Sequence, residues 1–470
     1  MREKKDIVFL CQFFHPEYIS SAQLPFDTAK ALQRAGFSVD VVCGYPKEYY
    51  TGSPVAREET LDGIGIHRLR YLQPDRKSVL GRLVNYFSFT LAVLGRLPRL
   101  GHYRAVVVYS NPPVLPWVAA LAKKWFGCRL IFVSYDLYPE LALRTGALRP
   151  GSLILRVMDR INRAVYPNAD RVVALSSEMR DFIAAHRPIA KDRIAVIPNW
   201  YPDRGEADRD PEGNPFAKEL AGKFVVGYFG NMGTVQDVDT VLEAIRLLKE
   251  DDSVFFLFAG HGNKLEALKQ TVSQEGLSNA RVLDYLHGKD YQQALDVCSA
   301  ALISIAPGTT GLCVPSKTYS YMMEGIPLIV IMDDSDIVAD TRKGAGVSLK
   351  NGQSQLLVQH IRAMQADPEA QARMRSVCRR LYLENYTPEI CTRKYVSLFR
   401  DLLGGEAFDT WIDRFVRESG CPLICYDCYS QMNPGDEGIN MYFRNLNRYV
   451  GAAERNGVMV WNTLLSCGHF

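Results

Sequence analysis

Short apolar runs alternate with stretches of helical period along most of the chain. In the first half these runs are DIVFLCQFF, FSVDVVCGY, YRAVVVYS, CRLIFVSYD and DRVVALSS. Each is short and bounded by polar or turn-forming residues, so each predicts a buried strand. Helical patterns fall between them, the first over residues 21–35. Strands that alternate with helices are joined by right-handed crossovers and build a parallel sheet. The stretch IAVIPNWYPDRGEADRDPEGNPF breaks the rhythm around residues 198–222, and its Pro, Gly, Asp and Asn content predicts a linker. A second series then begins: KFVVGYFGNMG, SVFFLFAGHGN, ARVLDYL, SAALISIAP and IPLIVI, with helices reaching about Lys249 and about Glu275 and another near Ser316. The expected fold class is α/β, two Rossmann-like domains facing a cleft, over residues 1–200 and 201–404. Residues 354–404 read as helices able to cross the hinge. From Gly405 the pattern changes to an aromatic, polar appendage over 405–470, to which no role is assigned. A length of 470 residues suits this division, because single cores stop growing near roughly 250–300 residues.

Net charge is +3, but it is unevenly spread: the first 200 residues carry 28 Lys or Arg against 17 Asp or Glu, and the remainder 27 against 35. A basic amino-terminal half suggests phosphate groups or an anionic membrane surface as partner, with a mixed solvated surface as the alternative. No nucleic-acid-binding motif is present. Seven of the eleven cysteines lie singly in apolar or helical contexts, which favours a reducing compartment and buried thiols. The charged head and apolar run of MREKKDIVFLCQFFHPE meet His, Pro and Glu without a small-residue cleavage site. They read as a first strand, not a signal peptide.

Six strings fall at strand ends or in linkers after them: FFHPEYISSAQLPFDTAKAL, YDLYPE after the fourth strand, IPNW, GYFGNMGTVQDVDTVLEA, FAGHGN and PSKTYSYMMEGIPLIV. In their order, over roughly residues 5–404, they resemble the retaining GT-B glycosyltransferases (family 4-like), in particular the bacterial exopolysaccharide and O-antigen branch. The resemblance implies a hexosyltransferase moving a sugar from a nucleotide-diphosphate donor, UDP-type foremost, to a glycan or polyprenyl-diphosphate-linked acceptor. The nucleotide-sugar is then a substrate, and neither cofactor nor metal is expected.

In a doubly wound sheet ligands collect at the carboxyl ends of strands, so the six strings should face one cleft. The glycines of GNMGTVQD permit close backbone approach, and the following helix start offers free amides to a phosphate. Gly230, Asn231, Gly233, Thr234 and Gln236 are therefore donor-binding candidates, although a turn without ligand needs only one Gly. Relatives place an Arg or Lys just beyond this loop, where this chain has Gln236 and Asp237. Lys317 is the substitute for the leaving diphosphate's charge, with Pro315 and Ser316 marking the start of its helix. Of the family's two glutamates eight residues apart, neither is present: Leu312 and Ser320 stand there. Glu324, one helical turn after Ser320, is expected either to reach a ribose hydroxyl or to end its helix at solvent. The backbone of Gly260, His261 and Gly262 is expected near the nucleotide, with His261 alternatively a neutral turn residue.

On the amino-terminal side Asp136 and Glu140 follow a buried strand, with Tyr135 where the family often has His. Asp136 and Glu140 are the acids expected at the catalytic centre, to orient or deprotonate an acceptor hydroxyl, with helix capping the alternative for Asp136. Ser20 and Ser21 face either the phosphates or acceptor, or cap the following helix; His15 is similarly open. No covalent nucleophile stands out, so stabilising the departing diphosphate is the main catalytic task, and Lys317 ranks above Asp136.

Residues 79–97 carry Leu80, Leu83, Val84, Phe87, Leu91 and Leu94 at helical spacing, broken by Arg82 and Asn85 and followed by Arg96, Arg99 and Arg104. They make a poor bilayer span. The alternatives are a helix in the headgroup layer of the plasma membrane's cytoplasmic face and an ordinary core helix. Cys421, Cys425 and Cys428, with Cys467 and His469, hold one CxxC pair but not the doubled spacing of a zinc site. A sugar-nucleotide epimerase and a non-catalytic, partner-binding relative are the rival readings.

Overall fold

The computed structural model describes residues 4–47, 50, 52–74, 78–205 and 213–403, with the backbone of the short strands Leu423–Tyr426 and Met459–Asn462. Eight strands make the amino-terminal sheet: β1 (Lys5–Leu10), β2 (Val39–Gly44), β3 (Glu58–Leu61), β4 (Ile64–Leu69), β5 (Tyr103–Tyr109), β6 (Arg129–Ser134), β7 (Arg171–Ala174) and β8 (Ile194–Val196). Their spatial order is β3-β4-β2-β1-β5-β6-β7-β8, and every pairing except β3 with β4 is parallel. Ile7, Val8, Phe9 and Leu10 are fully buried because β1 sits mid-sheet with helices on both faces, which explains its unbroken apolar run.

The β3–β4 hairpin has no counterpart among the runs read from the sequence, and YDLYPE consequently follows the sixth strand, not the fourth. Its signal is the dipeptide Asp62–Gly63, both residues with positive φ (51° and 78°), the conformation a two-residue hairpin turn demands.

Six parallel strands make the second sheet: β9 (Phe224–Asn231), β10 (Val254–His261), β11 (Ala280–Asp284), β12 (Ala300–Ser304), β13 (Leu328–Ile331) and β14 (Gly346–Leu349), in the order β11-β10-β9-β12-β13-β14. The chain reverses direction across the sheet between β1 and β5 and again between β9 and β12. Such switch points leave crevices at the carboxyl ends of the strands. The expected α/β architecture of two Rossmann-like domains is thus present.

The last of the helices read over residues 354–404 crosses the hinge, as expected. The helix Pro388–Leu403 does not belong to the second domain's core: it packs on the helix Ser20–Arg34, with Tyr395, Leu398, Phe399 and Leu403 buried among amino-terminal side chains such as Phe37. Its apolar face is buried there, in the same cluster as side chains of the first sheet. The expected cysteine cluster lies outside the described residues, apart from the backbone of Cys425.

Three contacts bring the two sheets' carboxyl ends together. Leu137 N donates to Leu312 O at 2.8 Å, Ser177 N to Asp336 Oδ2 at 2.7 Å, and Asp336 N to Glu178 Oε2 at 3.2 Å. The loop after β6 and the loop after β12 therefore meet directly.

Candidate active site

Between those loops lies a cavity of about 770 Å³ that draws its walls from both domains. Asp136, Ser20 and Ser21 enter from the first domain; Gly230, Asn231, Gln236, His261, Pro315, Ser316, Lys317 and Ser320 enter from the second. Residues from strings far apart in sequence are brought to one place, as strand-end positions require.

Lys317 opens the helix Lys317–Met323 at the carboxyl end of β12. Its Nζ is buried, has no hydrogen-bond partner, and sits 3.6 Å from the centroid of the Tyr228 ring. Desolvation lowers its pKa to about 7. A buried ammonium without a counter-charge is costly, and one ring face compensates only part of that cost. The arrangement is suited to receiving an anion from the cavity.

Asp136 occupies the opposing wall. It caps no helix, since the helix Glu140–Arg144 starts after Pro139, and the hydroxyl of Ser110 contacts only its backbone N–H, at 3.3 Å. Burial raises its carboxyl to about pKa 6, within the range a general base uses near neutrality. Ser20 and Ser21 also cap nothing: Ile19 is the cap position of the helix Ser20–Arg34 and no side chain serves it, so this helix start is left open towards the cavity. Ser320 lies at the cavity with its hydroxyl 2.9 Å from Tyr291 Oη.

Other candidates lie elsewhere or serve the fold. Glu324 does not line the cavity: it ends the helix Lys317–Met323 and faces Arg204, with Oε1 3.2 Å from Arg204 Nε. Glu324 N still donates to Ser320 O at 3.2 Å, so the helical spacing holds, but a partner from the interdomain segment claims its carboxylate. Glu140 pairs with Arg187 and lies outside the cavity lining. His15 stacks on Phe26 at 4.7 Å, and burial lowers its pKa.

The two glycine loops are more self-satisfied than their sequence suggests. Met232 N donates to His261 O at 2.6 Å, and Gly233 N donates to Gln236 Oε1 at 2.8 Å, so neither amide is free for a phosphate. The Thr234 hydroxyl accepts from Asn263 Nδ2 at 3.1 Å. A Cβ on Gly260 would lie 1.8 Å from Gly230 O, and one on Gly262, whose φ is +125°, 2.4 Å from Met232 O. These two glycines are required by the close approach of β9 and β10, whatever occupies the cavity. Gly260→Ala should therefore destabilise the ligand-free protein by about 3 kcal/mol in chemical denaturation. A glycine kept only for ligand approach would leave that stability unchanged.

Sequence reasoning missed an aromatic group at the cavity mouth. Tyr285 lies 5.4 Å from both His261 and His287, and His287 lies 5.7 Å from Tyr18 of the other domain. Tyr285 and His287 follow the end of β11, a strand end whose sequence carries no glycine loop to flag it.

Residues 26–200 match the model of the glycosyl transferase 4-like domain, and residues 212–380 that of the glycosyl transferases group 1. The chain carries both glycosyltransferase-family domains in a GT-B fold. Among its relatives is the probable glycosyltransferase WbjE of Pseudomonas aeruginosa, 27% identical over 258 residues that span 54% of this chain and 63% of that protein. Another is the putative colanic acid biosynthesis glycosyl transferase WcaI of Escherichia coli strain K12, 23% identical over 66% of this chain and 79% of that protein. The chain thus spans less than two thirds of WbjE's length. Anabaena Alr3699/HepE, solved with UDP and glucose, shares the fold with a TM-score of 0.62 at 17% identity, covering 84% of this chain and all of that one. WaaG, a glycosyltransferase involved in lipopolysaccharide biosynthesis, does so with a TM-score of 0.61 at 13% identity, over 84% of this chain and 99% of that one. Both domain models are those of glycosyltransferases, which favours that reading over the epimerase one.

Proposed function

We propose that this glycosyltransferase takes a hexose from a UDP-sugar, with retention of anomeric configuration, and adds it to a lipid-linked or glycan acceptor during surface polysaccharide synthesis. The observation that carries the reading is the unpartnered, buried Nζ of Lys317 at the switch point of the second sheet. A diphosphate bridge there supplies the missing counter-charge, and a preorganised cation in a water-poor cleft stabilises the leaving nucleotide as its charge develops. Asp136 then serves the acceptor hydroxyl from the facing wall. The positive charge replaces what a metal would supply, so transfer should not depend on added divalent cation. A lipid-linked acceptor puts the enzyme on the inner face of the plasma membrane as a peripheral protein. No helix among the described residues is long and apolar enough to cross a bilayer.

A thermal-shift panel of UDP-, GDP-, ADP- and dTDP-sugars tests the donor, because a ligand that binds only the native state raises apparent stability. UDP-sugars should give the largest upward shift. A larger shift with another base reassigns the donor, and no shift with any nucleotide defeats the reading.

A further inference from the structure

We propose that the outward faces of three adjacent helices, Val79–Leu94, Pro116–Phe126 and Leu153–Val165, form one docking surface for an anionic lipid bilayer. The proposal rests on the peripheral-membrane reading above and locates the surface that reading needs.

The middle helix packs against both others, and all three bury their inner sides in the same cluster on one face of the amino-terminal sheet, through residues such as Phe89, Val118 and Val165. Their remaining faces therefore point away from that sheet on one side. Those faces are apolar where solvent would select polar groups. Leu80 is 72% exposed, Leu91 63%, Trp125 61% and Leu153 74%, with Trp117 and Val157 also exposed. Leu80 and Leu91 lie eleven residues apart, three turns along one stripe. The helix Leu153–Val165 buries only Val165 completely. Among the described residues of the second domain the exposed large aliphatic side chains are Leu247 and Leu383, on two different helices. Apolar exposure concentrated on three helices that pack side by side is the kind of surface that marks an interaction site.

Charge selects the occupant. The three helices carry six Lys or Arg and a single acid, Asp159. Exposed Trp and Leu with interspersed Arg match the boundary between acyl chains and anionic headgroups. On the inner side of two of these helices, a small crevice lined by Pro116, Ile161 and Asn162 also borders Tyr138 and Asp136.

The test is co-sedimentation of the full chain with phosphatidylcholine vesicles, with and without phosphatidylglycerol. It compares wild type, a Leu91→Gln, Trp125→Gln, Leu153→Gln triple variant and an Arg156→Gln, Arg160→Gln, Arg163→Gln triple variant, all required to share one melting temperature. Wild type should partition onto the anionic vesicles. The apolar triple should lose roughly tenfold or more. The arginine triple should lose about a hundredfold, and only on anionic vesicles. Binding that both triples leave intact overturns this surface but keeps the membrane reading. A wild type that ignores both vesicles removes both. Self-association that the apolar triple abolishes, without vesicle binding, gives the face to a second copy of the chain and overturns the lipid assignment.

Discussion

Lys317→Met should abolish nearly all sugar transfer while raising thermal stability at pH 7. Removing a preorganised charge at a developing anion costs about 10²–10³-fold in turnover. The same substitution relieves the folded protein of a buried amine with no hydrogen-bond partner and lets an apolar chain of similar length rest on Tyr228. The pH dependence has a defined sign. The folded-state pKa, about 7, lies below the ordinary lysine value of 10.5. Between those values the unfolded chain binds more protons than the folded one, so this group makes stability rise with pH from about 7 to about 10.5. Wild type minus Lys317→Met should show that slope in denaturation at several pH values. Turnover of Lys317→Met near the wild-type rate would show that Lys317 does not serve the leaving group.

Asp136→Asn should slow turnover by about 10²-fold while changing donor affinity little. The acid limb of the pH profile supplies a readout that misfolding would not mimic. Burial places the Asp136 carboxyl near pKa 6, and the ionised form is the base, so kcat/KM should rise as pH increases through about 6. It should fall again above about 7 as free Lys317 loses its proton. The result is a narrow bell for the free enzyme. In kcat the alkaline limb should move upward, because a bound diphosphate holds the proton on Lys317. Asp136→Asn should erase the acid limb and retain the alkaline one. An acid limb that survives in Asp136→Asn would exclude Asp136 as the titrating base.

The elements were legible where periodicity and burial agree. Two-sided burial produces the unbroken apolar runs of β1, β6 and β9, and strand-end reasoning gathers Lys317, Asp136, Ser20 and Ser21 at one cleft, where the cavity lies. What failed depended on partners distant in sequence. Helical spacing from Ser320 suggested a shared face for Glu324, but Arg204, 120 residues earlier, holds that carboxylate elsewhere. Gly260 carries a second requirement that helical and strand periodicity do not reveal, because only the register of β9 against β10 shows how closely Gly230 O approaches it. The hydrogen bond from Gly233 N to Gln236 Oε1 was different in kind. It is local, three residues apart, and it leaves the first glycine loop with fewer free donors than its composition implies. That loss concentrates the binding of negative charge on Lys317.

Calorimetric titration of UDP at pH 8, repeated in buffers of different ionisation enthalpy, tests that concentration of charge most directly. Wild type should take up about one proton per UDP bound, since free Lys317 is mostly neutral there and bound Lys317 mostly charged. Lys317→Met should bind UDP more weakly and take up none. Equal affinity and equal proton uptake in the two proteins would contradict the account.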